Sequence, residues 1–256
     1  MLVDAGLSHR QITQRLASIN RDLADIDAIL LTHNHNDHTS ALPVICKNLS
    51  LPVYANRLTA EAVTEESAFN DKVRVSWRLF TNGSSFAIGD LSVEPFSIPH
   101  DAFDPVGFTL RTTTHSVGFV TDLGHATKLV MERLRGVDAL VLESNHDVQL
   151  LQDDPVRSWA IKQRIMSRQG HLSNDAAATV VGEIVSDRLQ HVILAHLSRD
   201  CNRPELAKSA TEQKLKQLGV THVRTIVADQ AHPSPTVTLE SVNRAHNTPQ
   251  NGQDSI

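Results

Sequence analysis

Cysteine is scarce in this chain: Cys46 and Cys201 are the only two among 256 residues. Thiols so far apart give neither a disulfide framework nor a close-spaced metal pair. Such usage fits a reducing compartment, so a cytoplasmic location is expected. No residue beside Cys201 marks it as an activated nucleophile, and it reads as a bystander. Long apolar runs are missing too. Nothing approaches the roughly 18 residues needed to span a bilayer. No basic stretch followed by an apolar one opens the chain as a secretory signal would. A membrane partner is therefore not expected. Excess positive charge is also lacking, since 24 Lys+Arg against 29 Asp+Glu leave a net charge of −5. That excludes a globally basic nucleic-acid binder but leaves room for a local basic surface. The remaining composition, 40% hydrophobic and 21% charged, is that of an ordinary globular chain. Its length suffices for one large domain with a full core.

Histidine, by contrast, is plentiful, with 14 residues. The segment Thr32-His33-Asn34-His35-Asn36-Asp37-His38-Thr39 follows the apolar run Ala28-Ile29-Leu30-Leu31. Such a run reads as a buried strand. A strand ending in three imidazoles and a carboxylate aims several metal-binding groups at one point. These donors suit zinc, manganese or iron. They are too many for one closed site, which points to two metals. A solvated His-rich loop is the plain alternative; the position directly after a strand argues against it. In an extended turn, residues two apart point the same way. His33 and His35 can then share one metal, while Asp37 and His38 turn toward a second. Two metals roughly 3.5–4 Å apart can hold a bridging hydroxide and clamp a displacement.

Further ligands must come from distant strand ends. His100 follows Ser97-Ile98-Pro99, Asp122 closes Ser116-Val117-Gly118-Phe119-Val120-Thr121, and His196 closes Val192-Ile193-Leu194-Ala195. A carboxylate placed like Asp122 can bridge two metals. Glu143 ends Asp138-Ala139-Leu140-Val141-Leu142, and His171 precedes a helix pattern. A carboxylate holding a histidine can charge it as a proton donor to a leaving group. The same pair could instead be a hydrogen bond that serves a metal ligand. Both readings stay open at this point.

Apolar β-branched runs predict strands over 28–32, 51–55, 73–80, 84–89, 91–98, 106–111, 116–121, 138–143, 191–195, 222–228 and 235–240. Helices are predicted over 39–48, 56–68, 125–135, 155–168, 174–188 and 203–218. Ser173-Asn174-Asp175 is a helix entry and Gly219 a helix exit. Asn82-Gly83 reads as a hairpin turn in a strand-rich middle. Two sheets with helices outside them follow, an α/β layered domain over 1–241. The polar, turn-rich stretch 242–256 is expected to be a disordered tail. Met1-Leu2-Val3-Asp4-Ala5-Gly6 reads as a strand already in progress, with earlier strands missing. Arg157, Lys162, Arg164, Arg168, Arg199 and Arg203 are candidate phosphate contacts. Arg164 and Arg168 would share one face of the 155–168 helix, which could equally be a solvated face.

The pattern His-x-His-x-Asp-His after a strand, then a strand-end His, Asp and His, resembles the metallo-β-lactamase fold over nearly the whole chain. Five phrases resemble its YycJ/WalJ group more specifically: His100-Asp101-Ala102 with Asp104-Pro105-Val106-Gly107-Phe108, Thr121-Asp122-Leu123-Gly124, Glu143-Ser144-Asn145-His146-Asp147, Gly170-His171-Leu172-Ser173-Asn174 and Ala195-His196-Leu197-Ser198. The resemblance implies an αββα sandwich with a dinuclear site at one edge. It implies one metal on His33, His35 and His100, and a second on Asp37, His38 and His196, with Asp122 bridging. It implies that Asp4 supports the metal loop. Asp37, Glu143 and His171 would be the catalytic residues, the last two as a proton relay similar to that of tRNase Z. Relatives of this group include the RNase J type nucleases. Its members usually begin with one or two strands and a Gly-Ser-Ser-Gly-Asn turn that this sequence lacks, so a sandwich without its first strand or strands is expected. The expected activity is phosphodiester hydrolysis with two divalent ions, zinc or manganese or also iron. A nucleic acid is the expected substrate, with DNA favoured and attack from the five-prime end. The alternatives are a phosphodiesterase for a cyclic ribose phosphate, another hydrolase of the fold, and a truncated regulatory protein without catalysis.

Overall fold

The computed structural model describes residues 1–66, 69 and 73–240. Among these, four strands make the first sheet: β1 (Leu2–Val3), β2 (Ile29–Leu30), β3 (Pro52–Asn56) and β4 (Ser76–Phe80). They lie in that order and all run parallel. Crossovers on one face supply α1 (His9–Ser18), the single turn α2 (Asn36–Thr39), α3 (Leu42–Asn48) and α4 (Arg57–Glu65). The second sheet holds β5 (Phe86–Ile88), β6 (Leu91–Ser97), β7 (Val106–Arg111), β8 (Ser116–Val120), β9 (Ala139–Glu143), β10 (His191–Ala195) and β11 (Arg224–Val227). Its order is β11-β10-β9-β8-β7-β6-β5. The pairs from β5 to β8 are antiparallel, those from β8 to β11 parallel. Its helices are α5 (Lys128–Leu134), α6 (Val148–Asp153), α7 (Trp159–Ile165), α8 (Asn174–Ile184) and α9 (Pro204–Gln217).

Three apolar layers hold the sheets and helices together. Leu30, Phe80, Val93, Val106 and Phe108 fill the space between the sheets. Ile29 and Leu31 point the other way, into the layer shared with Ile12, Leu42 and Val63 of α1, α3 and α4. This two-residue alternation across β2 is the pleat at work. Both faces of the strand are covered, which is why Ala28–Leu31 is apolar throughout. On the outer face of the second sheet, Val120, Leu140, Val192 and Leu194 meet Val130, Val181 and Leu215 of α5, α8 and α9. The result is the expected αββα sandwich.

Several expectations need correction. Residues 235–240 form no strand. They run beside the second sheet, where Gln190 and the Glu240 backbone exchange two hydrogen bonds. Asn82-Gly83 is not a hairpin turn: β4 and β5 belong to different sheets, and the turn carries the chain between them. The real two-residue hairpin is Gly89-Asp90, where Ile88 pairs with Leu91 and Gly89 has φ 58°, a conformation glycine adopts freely. The 39–48 pattern is two helices, broken before Pro43 in the first turn of α3. The 155–168 pattern also fails. Only 159–165 is helical, entered through Ser158, whose hydroxyl accepts from Ile161 N–H. Helix α1 is absent from the predicted elements, although Ser8 and Gln11 form a reciprocal capping box, a readable entry signal. The 56–68 prediction runs past the end of α4 at Glu65 toward residues outside those described, and the expected tail 242–256 lies outside them altogether.

Candidate active site

The candidate ligands cluster at or just beyond the C-terminal ends of strands. Asp4 follows β1, His33 and His35 follow β2, and His100 follows β6. Asp122 follows β8, Glu143 ends β9, and His196 follows β10. Parallel strands gather such residues at one sheet edge, where α/β proteins build their sites. Asp4, Asp122 and His196 have φ of 60°, 56° and 57°. Left-handed backbone is costly for side chains other than glycine, less so for Asp, and it concentrates at functional sites. Gly6 packs against the histidine loop so closely that a Cβ there would lie 1.4 Å from the Asp37 carbonyl oxygen. The loop itself is not an extended turn throughout. His35 caps the single helical turn α2, which brings Asp37 Oδ2 to 3.8 Å from Nε2 of the buried His38.

Hydrogen bonds fix the imidazole tautomers. His38 Nδ1 donates to Asp4 Oδ2 at 2.7 Å. The Thr32 hydroxyl also donates to Asp4, at 2.8 Å, so His33 Nδ1 is the donor in its 2.9 Å contact with Thr32 Oγ1. His100 Nδ1 faces the Gly170 carbonyl at 3.2 Å. His196 Nδ1 donates to Glu143 Oε1 at 2.9 Å. With each Nδ1–H engaged, the four Nε2 atoms are left to face one space, the arrangement that metal-binding histidines use.

Ligand atoms of His33, His35 and His100 lie within 4.8 Å of one another. The same holds for Asp37, His38 and His196. Asp122 stands between these groups. Its Oδ1 is 3.6 Å from His100 Nε2 and 3.4 Å from His196 Nε2, and its Oδ2 is 3.1 Å from His38 Nε2. The Nε2 atoms of His33, His38 and His100 and Oδ2 of Asp122 are buried without an aligned hydrogen-bond partner among the described residues. Each such orphan costs about 1–3 kcal/mol unless something else satisfies it. Four converging on one point is the signature of a cation site, and the nitrogen and carboxylate donors suit a divalent metal.

Without metal the cluster is electrostatically tense. Burial and the facing His38 push His33 down to about 2. Burial also opposes charge on His38, but Asp4 and Asp122 outweigh it and raise that imidazole to about 10. Asp37 is held below its ordinary range, first by His196, whose Nε2 is 3.6 Å away. A raised histidine pKa favours the metal-free fold below the unfolded value of 6.5, and that contribution is lost as pH rises through about 10. Metal must displace the same proton. Loading at pH 7 is therefore expected to release protons, and calorimetry in buffers of differing ionisation enthalpy should give buffer-dependent heats. Identical heats in all buffers would contradict this assignment.

Glu143 is fully buried and serves both as a partner of His171 and as support for a candidate metal ligand. Its Oε1 accepts from His171 Nδ1 at 2.8 Å as well as from His196. Its Oε2 accepts from Leu123 N–H at 3.0 Å and Leu172 N–H at 2.8 Å, the residues after Asp122 and His171. One carboxylate thus ties together three loops. Burial would raise its pKa, but the two imidazoles outweigh that and lower it. His171 is raised in turn: burial lowers it, and Glu143 overcomes the burial. A cavity of about 650 Å³ opens beside Asp37, His171 and His196.

The candidate phosphate contacts separate. Lys162 is buried and donates to the Gln152 carbonyl at 2.7 Å, so its ammonium caps the end of α6. Arg168 lies beyond the end of α7, shares no helix face with Arg164 and places a guanidinium nitrogen 2.7 Å from His125 Nε2. Arg164 binds Asp101 at 2.5 Å and steadies the loop of His100. Arg157 is neutralised by Asp154 and by Asp200, the latter at 2.8 Å. Arg199 lines the cavity and also a neighbouring one, where Arg203 joins it. Sequence reasoning missed Arg15 and Gln230, which line both cavities. It also gave no role to Asn145, which donates to the His196 carbonyl at 2.9 Å. Nor did it single out Asn202, whose amide donates to the Ser144 and Asn145 carbonyls at 2.8 and 3.0 Å.

A family model described as a beta-lactamase superfamily domain matches residues 1–197. Exodeoxyribonuclease YycJ of Bacillus anthracis is 35% identical over 219 residues, covering 86% of this chain and 82% of its own. Exodeoxyribonuclease WalJ of Streptococcus pneumoniae is 37% identical over 223 residues, again covering 86% and 82%. Among solved structures, Zn(2+)-bound PqqB from Methylobacterium extorquens matches with a TM-score of 0.67 at 18% identity, over 93% of this chain and 83% of that one. At that identity the likeness speaks to fold alone. No helix among the described residues is long and apolar enough to cross a membrane.

Proposed function

The chain belongs to the β-lactamase superfamily and is a metal-dependent phosphodiester hydrolase, and from that premise we propose that it is a two-metal nuclease that degrades DNA from an end. His33, His35 and His100 would hold one ion, and Asp37, His38 and His196 the other, with Asp122 between them. The observation that carries this reading is the convergence of four buried donor atoms without an aligned hydrogen-bond partner, beside an imidazole whose pKa a buried carboxylate raises. Bound ions would supply Lewis acidity toward the phosphoryl oxygens and lower the pKa of water.

The remaining chemistry falls to side chains. A departing sugar oxygen needs a proton. His171 has Nδ1 fixed on Glu143, which raises its pKa, and lines the cavity. Its Nε2–H is the donor that remains, and general acid catalysis of this kind contributes typically 10²–10⁴-fold. Glu143 stays ionised because two imidazoles and two backbone N–H groups surround it. The same residue orients His196, so proton delivery and the metal site share one anchor. Asp4 orients His38 and, through Thr32, His33.

The names of YycJ and WalJ support DNA as the substrate. Incubating the metal-loaded protein with end-labelled single- and double-stranded DNA, with RNA and with a chromogenic diester tests the proposal. Release of mononucleotides from DNA is expected, with RNA cut more slowly. Cleavage of the chromogenic diester without any nucleic-acid hydrolysis would contradict the nuclease reading.

A further inference from the structure

A second cavity, of about 740 Å³, lies beside the one at His171 and His196 and is lined also by Gln11 and Arg203. The two share Arg15, Arg199 and Gln230 in their walls. Each cavity falls in the range of about 300–1,000 Å³ typical of a single bound small molecule. That size suits one or two nucleotides of a strand. A small diester would need only the first cavity.

The shared wall carries an unusual grouping of charge. Arg15 comes from α1, over the first sheet, and Arg199 from the loop after β10 of the second. Both guanidiniums bond to the same residue, Arg15 to the Gln230 carbonyl and Arg199 Nε to the Gln230 side-chain oxygen. The Gln230 amide in turn donates to the Leu197 carbonyl at 2.6 Å, one residue past His196. Acidic groups nearby are already engaged. Asp200 binds Arg157 at 2.8 Å, and Asp229 accepts from the Ala231 and His232 backbone, the latter at 3.0 Å. Two cations are thus brought together on one neutral residue, and neither has a carboxylate partner among the described residues. Each guanidinium has five N–H donors, so Arg15 and Arg199 keep donors for an anion.

We propose that the two neighbouring cavities form the track of one nucleic-acid strand, in which Arg15 and Arg199, positioned by Gln230, grip a backbone phosphate beyond the scissile one. The inference rests on the nuclease reading above and adds a substrate contact: a strand extended past the cleaved bond. Arg203, in the second cavity, continues the basic edge. Guanidinium forks match phosphate oxygens in pairs, and such contacts position a strand without reading its sequence.

The test uses the full, metal-loaded chain and three variants, Arg15→Ala, Arg199→Ala and the double variant. Lys208→Ala, on an exposed face of α9 outside the two cavities, is the charge-matched control. Hydrolysis of a long single-stranded oligonucleotide and of bis(p-nitrophenyl) phosphate is followed over a series of salt concentrations. KM for the oligonucleotide is expected to rise about tenfold for each arginine removed, the effect of one charged hydrogen-bonded contact. This rise should exceed any change with the small diester. The salt slope for the oligonucleotide should become shallower by about 0.7 for each phosphate-binding arginine removed. The Lys208→Ala control should do neither. Oligonucleotide KM and salt slope that stay at wild-type values in the double variant would overturn the inference while leaving the nuclease reading intact. So would equal losses on both substrates, which would mark the arginines as structural. A wild-type protein that cleaves neither substrate would instead sink the nuclease reading, and the inference with it.

Discussion

Asp122→Asn should lose at least about 10³-fold in phosphodiester hydrolysis, since metal-derived stabilisation of several kcal/mol goes with it. Asn is the informative replacement. It keeps the size of the side chain and tolerates the left-handed φ of 56°. Only the charge and one acceptor oxygen are removed. Asp122 is 3.1 Å from His38, 3.4 Å from His196 and 3.6 Å from His100, so it faces both groups of candidate ligands. An amide there would present N–H to one of them. Metal content measured by mass spectrometry should therefore fall together with activity, while the circular dichroism spectrum persists. Full activity in a metal-free Asp122→Asn protein would remove the central role assigned to this residue.

The second large effect separates His171 from Glu143. His171→Ala should leave metal content unchanged and lower kcat on DNA by about 10²–10⁴-fold. The loss should be much smaller on a p-nitrophenyl diester, because p-nitrophenolate leaves without needing a proton. Glu143→Gln should do more than His171→Ala. The glutamine can still accept from His171 and His196 through one oxygen. Its NH₂ group would then face the Leu123 and Leu172 N–H groups, donor against donor. Because Glu143 also orients His196, metal affinity should drop about 10–100-fold, as is typical when the partner of a ligand is removed. Equal losses of His171→Ala on DNA and on the p-nitrophenyl diester would argue against His171 as the proton donor.

Much of this site is legible in the sequence because its signals are local. The His33–His38 cluster announces itself by density, and His100, Asp122 and His196 by standing after apolar strand-forming runs. The sheet does the rest, since parallel strands end on the same edge. Asp4 is legible only through family resemblance, because its contact with His38 spans 34 residues. The double duty of Glu143 is not legible: the sequence pairs it with His171, but its bond to His196 depends on β9 lying beside β10. Lys162 and Arg168 are misplaced by sequence because a helix pattern says which residues share a face but not where the helix stops. Arg15 is missed along with α1, even though the capping box at Ser8 and Gln11 marks that helix's entry. No pattern in the sequence joins Arg15, Arg199 and Gln230, which come from three distant segments.

Titrating the metal-free protein with Mn²⁺ or Zn²⁺ while following hydrolysis of a chromogenic diester tests the central claim most directly. No activity is expected before metal is added, and the rate should reach its plateau at two ions per chain. Full hydrolysis by the chelator-treated protein, or a plateau reached with no bound metal, would contradict it.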